Sequence, residues 1–162
     1  MPVSRLRSFW PLFTLLASGA MLAAAHAFET FGGLAPCPLC LDQREWHWGV
    51  VGVSALALIL SRTPIYRPRL ALFIIGLVLV GSFLMAGYHF GVEQHWYVAQ
   101  CDAQLDANAD LTFDVNAELE VPRCDTPAWT MFGVSMAGYN ALISLGLALL
   151  TFAVALWPER KA

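Results

Sequence analysis

Charge is what this chain of 162 residues has least of: Asp, Glu, Lys and Arg together make up 13% of it, against 58% hydrophobic residues. Soluble domains carry about 25% charged residues, and the mean hydropathy of +0.60 leaves more apolar mass than a globule of this size can bury, which excludes a water-soluble domain. There is no basic surplus, the net charge being −3, so a nucleic-acid surface is excluded. Neither a Gly-rich phosphate loop nor a dinucleotide fingerprint is present, which excludes nucleotide chemistry. Repeats and low-complexity tracts are absent too.

What the chain does have is long uncharged runs. A membrane-crossing helix needs about 20 apolar residues, and Phe9 to Phe28 contains no Asp, Glu, Lys or Arg. Further runs follow, and Trp157 before Pro158, Glu159, Arg160 and Lys161 reads as an interfacial stop. The expectation is an all-α integral membrane protein, a single domain over 1–162 built as a four-transmembrane-helix bundle. Its spans fall at about 9–28, 42–61, 69–90 and 132–157, with two extracytoplasmic loops at about 29–41 and 91–131. The second helix is expected to begin upstream of its apolar run, near Pro38. Small residues such as Gly76, Gly81, Gly138, Ser144 and Gly146 are expected to let the helices approach closely.

The N-terminus admits a competing reading. Arg5 and Arg7, an apolar run and then Ala25-His26-Ala27 imitate a cleaved signal peptide. The run exceeds the signal core of about 7–15 residues, which favours a retained first helix. Sidedness follows from the basic residues: Arg5, Arg7, Arg62, Arg67, Arg69, Arg160 and Lys161, seven of the nine, fall in the two tails and the second connection. Basic residues accumulate on the cytoplasmic side of short loops, so both termini are expected to be cytoplasmic.

All four cysteines then lie on the other side, Cys37 and Cys40 in the first loop, Cys101 and Cys124 in the second. In an oxidising compartment thiols so placed pair, and two disulfides are expected. A zinc cluster fits poorly, because 22 residues separate the second pair where structural zinc spacings are short. Haem attachment would need His after Cys40, and Leu41 stands there. For Cys101 and Cys124 a bracing role alone would be a fair reading, since a disulfide closing such a loop can stabilise by about 3 kcal/mol.

Cys37-Pro38-Leu39-Cys40 does not fit that role, because a two-residue gap encloses almost no chain entropy. That spacing suits a bond that opens and closes. With Pro38 in the first helical position, Cys40 sits in the first turn, where amide donors and the helix dipole favour a thiolate. Arg44 lies one turn deeper on the same face, placed to steady negative charge. The motif opens onto the bilayer surface beside Trp46 and Trp48, and a membrane-dissolved quinone is the natural acceptor for electrons leaving these thiols.

These residues carry a likeness to a known family. Pro36-Cys37-Pro38-Leu39-Cys40, Arg44 four residues on, four spans, and a cysteine pair in the long second loop with Cys124-Asp125 leading to Trp129, Phe132, Gly133 and Ser135 together resemble the disulfide bond formation protein B (DsbB) family of bacterial inner-membrane thiol:quinone oxidoreductases. The resemblance covers nearly the whole chain. It implies that Cys37 and Cys40 are the quinone-proximal pair, and that Cys101 and Cys124 meet a periplasmic DsbA-like dithiol oxidase of thioredoxin fold. In that scheme the partner's thiol attacks Cys101, Cys124 is released and exchanges with Cys37, and Cys40 passes electrons to ubiquinone or menaquinone. It also implies that His89 lies beside the quinone with Arg44.

Two stretches depart from the pattern. Asp106, Asp110, Asp114 and Glu118 recur every four residues, with Ala107, Leu111, Val115 and Leu119 one position on; a helix there would carry a self-repelling acidic stripe, and a solvated loop is the plainer reading. Leu41-Asp42-Gln43 and Glu45-Trp46-His47-Trp48 are unlike the best-known members, which would suit a specialised branch. Two other readings compete: a vitamin K epoxide reductase-like enzyme, and a membrane scaffold whose disulfides only brace its loops. His26, His47 and His95 raise a haem reading, but no two sit clearly at matched depth on facing spans.

Overall fold

The chain is seen here as a computed structural model that describes residues 3–98 and 123–158. Cys101, the acidic stripe at 106–118, Glu159, Arg160 and Lys161 lie outside the described residues. Four helices account for most of it: α1 over Val3–Gly32, α2 over Pro38–Leu60, α3 over Pro68–Glu93 and α4 over Met136–Leu156, with a two-stranded antiparallel hairpin, β1 over Thr130–Met131 and β2 over Val134–Ser135, before α4. Three of them, α1, α3 and α4, are long and apolar enough to cross a membrane. The fourth, α2, is 23 residues long, about 35 Å at 1.5 Å per residue, but carries Asp42, Arg44 and Glu45 in its first two turns.

Helix ends differ from the expected boundaries for local reasons. α1 runs four residues beyond Phe28 and stops where Gly33 turns left-handed (φ +65) and Leu34 N–H reaches back to the Phe28 carbonyl, the usual glycine termination. α2 begins at Pro38, as its first-turn proline suggested, so the first loop is 33–37 and not 29–41. α3 continues past Phe90 to Glu93, which draws Glu93 out of the expected second loop into the helix. The expected fourth span from residue 132 needs the largest correction. Phe132 (φ 51) and Gly133 (φ 78) are both left-handed, which is the two-residue turn that closes a hairpin, and α4 starts only after Ser135 caps it by accepting from Gly138 N–H at 3.1 Å.

Polarity is distributed inside out. Thr14, Ser18, Ser54, Ser82, Ser144 and Thr151 have no exposed surface at all, whereas Leu16, Leu77, Leu84 and Leu149 are more than half exposed. A chain folded in water would have it the other way; in lipid the hydroxyls hold helices together and the leucines meet acyl chains. Thr14 Oγ1 lies 2.9 Å from Ser54 Oγ across α1 and α2, and Trp10 Nε1 donates to Thr151 Oγ1 at 2.9 Å across α1 and α4.

Apolar contact fills the half of the bundle away from the cysteines, where Val50, Leu72, Ile75 and Leu79 are fully buried together with Leu147 and Ala148. Three of the expected small residues permit close contact between helices: a Cβ on Gly81 would stand 2.2 Å from the Trp46 ring, one on Gly76 2.7 Å from the Phe152 ring and one on Gly138 3.0 Å from the Phe90 ring. Gly146 has open space about it and takes no part. At the same end Arg7, 1% exposed, caps the last turn of α4. Its Nε donates to the Val154 carbonyl at 3.2 Å, and its Nη2 to the carbonyls of Ala155, at 3.3 Å, and Trp157, which satisfies groups that a helix end leaves open.

Candidate functional site

The other end of the bundle gathers the chemistry. The start of α2, the end of α3 and the start of α4 meet there, and each delivers side chains that sequence spacing alone would leave apart. Cys37 is the N-cap of α2 and its Sγ accepts from Cys40 N–H at 3.3 Å. A sulfur in the capping position takes the place of the usual oxygen and fixes the pair across the first turn. Cys37 and Cys40 are both free thiols, so the first of the two expected disulfides is open in this structure. Cys124 is disulfide-bonded.

The two sulfurs face different surroundings. Cys37 is 4% exposed and forms one buried cluster with Val92 and Cys124. The hydrogen bond to the Cys40 side chain, followed by burial, pushes the Cys37 thiol above the usual range. Cys40 instead lines a cavity of about 310 Å³ between α1, α2, α4 and the hairpin, at the lower end of ligand-pocket volumes of about 300–1,000 Å³. Arg44, Gln43, His47 and Asn140 supply its polar wall, and Phe28 and Trp129 are part of its apolar one. Trp129 is fixed between Phe28, with centroids 5.5 Å apart, and Tyr139 at 6.3 Å.

Arg44 lines the cavity, and it has a partner that sequence reading missed. Its Nη1 donates to Glu29 Oε2 at 2.6 Å and its Nη2 to the Ala25 carbonyl at 3.4 Å, which ties the start of α2 to the last turns of α1. His89 is placed otherwise than beside the cavity. It is 4% exposed and lies behind the pair, its Nε2 3.7 Å from Cys37 Sγ and 3.9 Å from Glu93 Oε1. The His89 ring also donates to the backbone of Cys124. Glu93, 8% exposed, accepts from Ser135 Oγ, so the helix α4 cap and His89 share one buried carboxylate.

A chain of hydrogen bonds joins the cavity wall to Cys37. His47 Nδ1 lies 3.4 Å from Ser18 Oγ, its Nε2 donates to Asn140 Oδ1 at 2.8 Å, Asn140 Nδ2 donates to Gln43 Oε1 at 2.6 Å, and Gln43 Nε2 meets His89 Nδ1. Buried polar side chains inside a membrane bundle are costly and are kept where they serve function. Their only sequence signal was polarity within an apolar run. Outside the bundle, Arg123 holds Asp125 in a two-pronged bond, Nε to Oδ1 at 2.9 Å and Nη2 to Oδ2 at 2.6 Å, which keeps the Asp125 carboxyl below the usual carboxylate range. That fork flanks Cys124 on both sides.

As to chemistry, the donors fit a flat, electron-accepting ring: an apolar slot, a thiol at a helix N-terminus on its wall and a guanidinium one turn deeper. Cys37, Cys40 and His89 also present their ligand atoms within 4.8 Å of one another.

The chain is similar to proteins named for disulfide bond formation. The chain is 32% identical over 158 residues to "Disulfide bond formation protein B 2" of Pseudomonas entomophila, covering 91% of this chain and 89% of that one. It is 31% identical over 148 residues to "Disulfide bond formation protein B" of Methylococcus capsulatus, covering 84% and 86%, and 30% identical over 166 residues to the protein of the same name from Stutzerimonas stutzeri, covering 94% and 96%. No solved structure matches the chain. A family profile described as "Disulfide bond formation protein DsbB" matches residues 7–154, and with that span of agreement the chain belongs to the DsbB family of membrane proteins of disulfide bond formation.

Proposed function

We propose that this protein reoxidises a periplasmic DsbA-like dithiol oxidase and delivers the electrons to a membrane quinone, acting as a protein-disulfide:quinone oxidoreductase. The observation that carries the reading is the division of labour between the two sulfurs: Cys40 on the cavity wall with Arg44, Cys37 turned the other way toward Cys124. A pair that must receive electrons from one neighbour and pass them to another needs two faces.

In this reading the partner's thiolate attacks Cys101 and forms a mixed disulfide, releasing Cys124 as a thiolate. The partner's second thiol then completes the partner's own disulfide. The electrons pass by exchange from the Cys124 side to Cys37, leaving Cys37 and Cys40 as the dithiol. Quinone, when bound, supplies the chemistry of a two-electron, two-proton acceptor and leaves as quinol. Cys40 presents its sulfur at the head of α2, where first-turn amides favour the thiolate, and Arg44 stabilises negative charge in the cavity. Cys37 closes the bond with Cys40, so that two S–H bonds are exchanged for one S–S bond and the two protons and two electrons are accounted for.

The orientation fits the same scheme. All four helices cross the bilayer, α2 with Asp42, Arg44 and Glu45 at the outer interface. Both termini and the Arg62–Arg69 connection lie in the cytoplasm of a bacterium, and the cysteines lie on the periplasmic side of its inner membrane. Opposed ends of the bundle support this: Arg7 sits by the last turn of α4, whereas Cys37, His89 and Ser135 sit at the other end.

The test is turnover of purified protein with a reduced thioredoxin-fold dithiol oxidase and a soluble ubiquinone or menaquinone analogue, following partner thiols and quinone absorbance together. Loss of both in step, abolished by Cys→Ser at 37, 40, 101 or 124, is expected. A bracing scaffold would give no turnover in the unaltered protein, and that result would overturn the reading.

A further inference from the structure

We propose that the reduced Cys37–Cys40 pair, together with His89, forms a binding site for a thiophilic divalent cation, zinc being the ordinary one, and that the cation holds the enzyme in its reduced state. This is a different donor set from the four-cysteine cluster that spacing argues against. The observation is that one atom from each of Cys37, Cys40 and His89 falls within 4.8 Å of the others. Zinc bonds of about 2.3 Å to sulfur and about 2.0–2.1 Å to nitrogen give tetrahedral edges of about 3.8 Å between sulfurs and about 3.5 Å between sulfur and nitrogen. The measured Cys37 Sγ to His89 Nε2 separation is 3.7 Å, so the site needs little rearrangement along that edge.

Glu93 stands beside the three donors, outside their cluster. Glu93 Oε1 is 3.9 Å from His89 Nε2, and its other oxygen is held by Ser135 Oγ, which steadies the carboxylate from the far side. The histidine is oriented as metal-bound histidines are, by a hydrogen bond on its other nitrogen: Gln43 meets Nδ1, and Nε2 faces Cys37 Sγ and donates to the backbone of Cys124. On binding, the cation replaces the Nε2 proton and its bond to the Cys124 backbone, and the amides of Gln43 and Asn140 turn together, so that Gln43 offers its oxygen to the Nδ1–H and its Nε2 to Asn140 Oδ1, while Asn140 Nδ2 donates to His47 Nε2.

Binding is gated by redox state. Both thiols lose their protons to solvent when the cation enters, no electron moves, and the site exists only while the S–S bond between Cys37 and Cys40 is open. A bound cation withdraws both sulfurs from exchange and from the cavity, so oxidation waits until it leaves. The inhibitory half of this inference rests on the cycle proposed above; the binding half rests on geometry alone.

Zinc and cadmium ions, each alone, serve as probes on detergent-solubilised full-length protein. Reduced protein is expected to take up one zinc per chain and, with cadmium, to show sulfur-to-metal charge-transfer absorption, while protein oxidised at Cys37–Cys40 shows neither. His89→Ala should weaken zinc at least tenfold, Glu93→Gln less, and Cys37→Ser or Cys40→Ser should abolish the cadmium band. The melting midpoint of each variant in its oxidised or metal-free form separates lost ligation from lost folding. Zinc should stop turnover and a chelator restore it. Failure of the reduced protein to bind, or equal binding by His89→Ala, would overturn the site. Zinc bound without loss of turnover would overturn its inhibitory role. Absence of turnover in metal-free protein would sink the proposed function and leave the binding stoichiometry standing.

Discussion

The Cys37 sulfur lies 3.7 Å from His89 Nε2, on the side of the pair away from the cavity that Cys40 lines. The two thiols of one short motif thus have separate environments, and access to them should differ. In Cys37→Ser protein a quinone analogue is expected to protect Cys40 from alkylation by roughly tenfold or more, as saturation of a shared cavity requires. In Cys40→Ser protein the same analogue should leave alkylation of Cys37 unchanged. Mass spectrometry of labelled peptides reads both.

Arg44 is shared between the cavity and Glu29, to which it donates at 2.6 Å. Removing the guanidinium by Arg44→Ala should raise KM for quinone by about tenfold, the equivalent of about 1.4 kcal/mol. Glu29→Gln removes the competing carboxylate and should lower KM, because the guanidinium is then freer to meet charge in the cavity. Steady-state kinetics with varied quinone analogue checks the opposite signs; equal effects from both variants would show that the ion pair matters only for packing.

Asn140 is the middle of the buried chain, bonded to His47, Gln43 and Ser144 at 2.8, 2.6 and 3.1 Å. Asn140→Leu leaves Gln43 Oε1 without its donor and His47 Nε2 with only a 3.4 Å contact to Ser82 Oγ, while Ser144 keeps Ser82 Oγ at 3.0 Å. Each buried group left unpaired costs about 1–3 kcal/mol, so the variant is expected to melt well below the unaltered protein in detergent. Asn140→Asp keeps the acceptor for His47 and Ser144 and should recover part of the loss.

Arg7 closes the opposite end of the bundle by donating to the last carbonyls of α4. Charge-assisted hydrogen bonds contribute about 1.5–3 kcal/mol each, and Arg7→Met should lower the melting midpoint while leaving KM for quinone unaltered, since it is remote from the cavity. A shifted KM would contradict that separation.

Much of this was legible in the sequence because it is local. The Cys37 to Arg44 segment puts its key residues within two turns of one helix, so spacing alone places Cys40 and Arg44 on one face. Pro38 announces the start of α2 for the same reason. His47, Asn140 and Glu93 were not legible, because their roles depend on how α2, α3 and α4 are rotated against one another, which no single helix encodes. His89 illustrates the limit: its depth in the bundle was readable, but the face it turns, to Cys37 and not to the cavity, is set by Gln43 and Glu93 from neighbouring turns. The hairpin before α4 left only one trace, Gly133 after Phe132, and the apolar residues on either side masked it as part of a span.

The account stands or falls on electrons leaving the pair through Cys40. Mixing reduced Cys101→Ser/Cys124→Ser protein, whose remaining cysteines are Cys37 and Cys40, with one equivalent of quinone analogue, without any partner, and counting thiols against quinol formed is the most direct test. The account predicts two thiols lost for each quinol, both from Cys37 and Cys40, and no quinol from Cys40→Ser protein. Quinol formed at an undiminished rate by Cys40→Ser protein, or formed while Cys37 and Cys40 remain free, would contradict it.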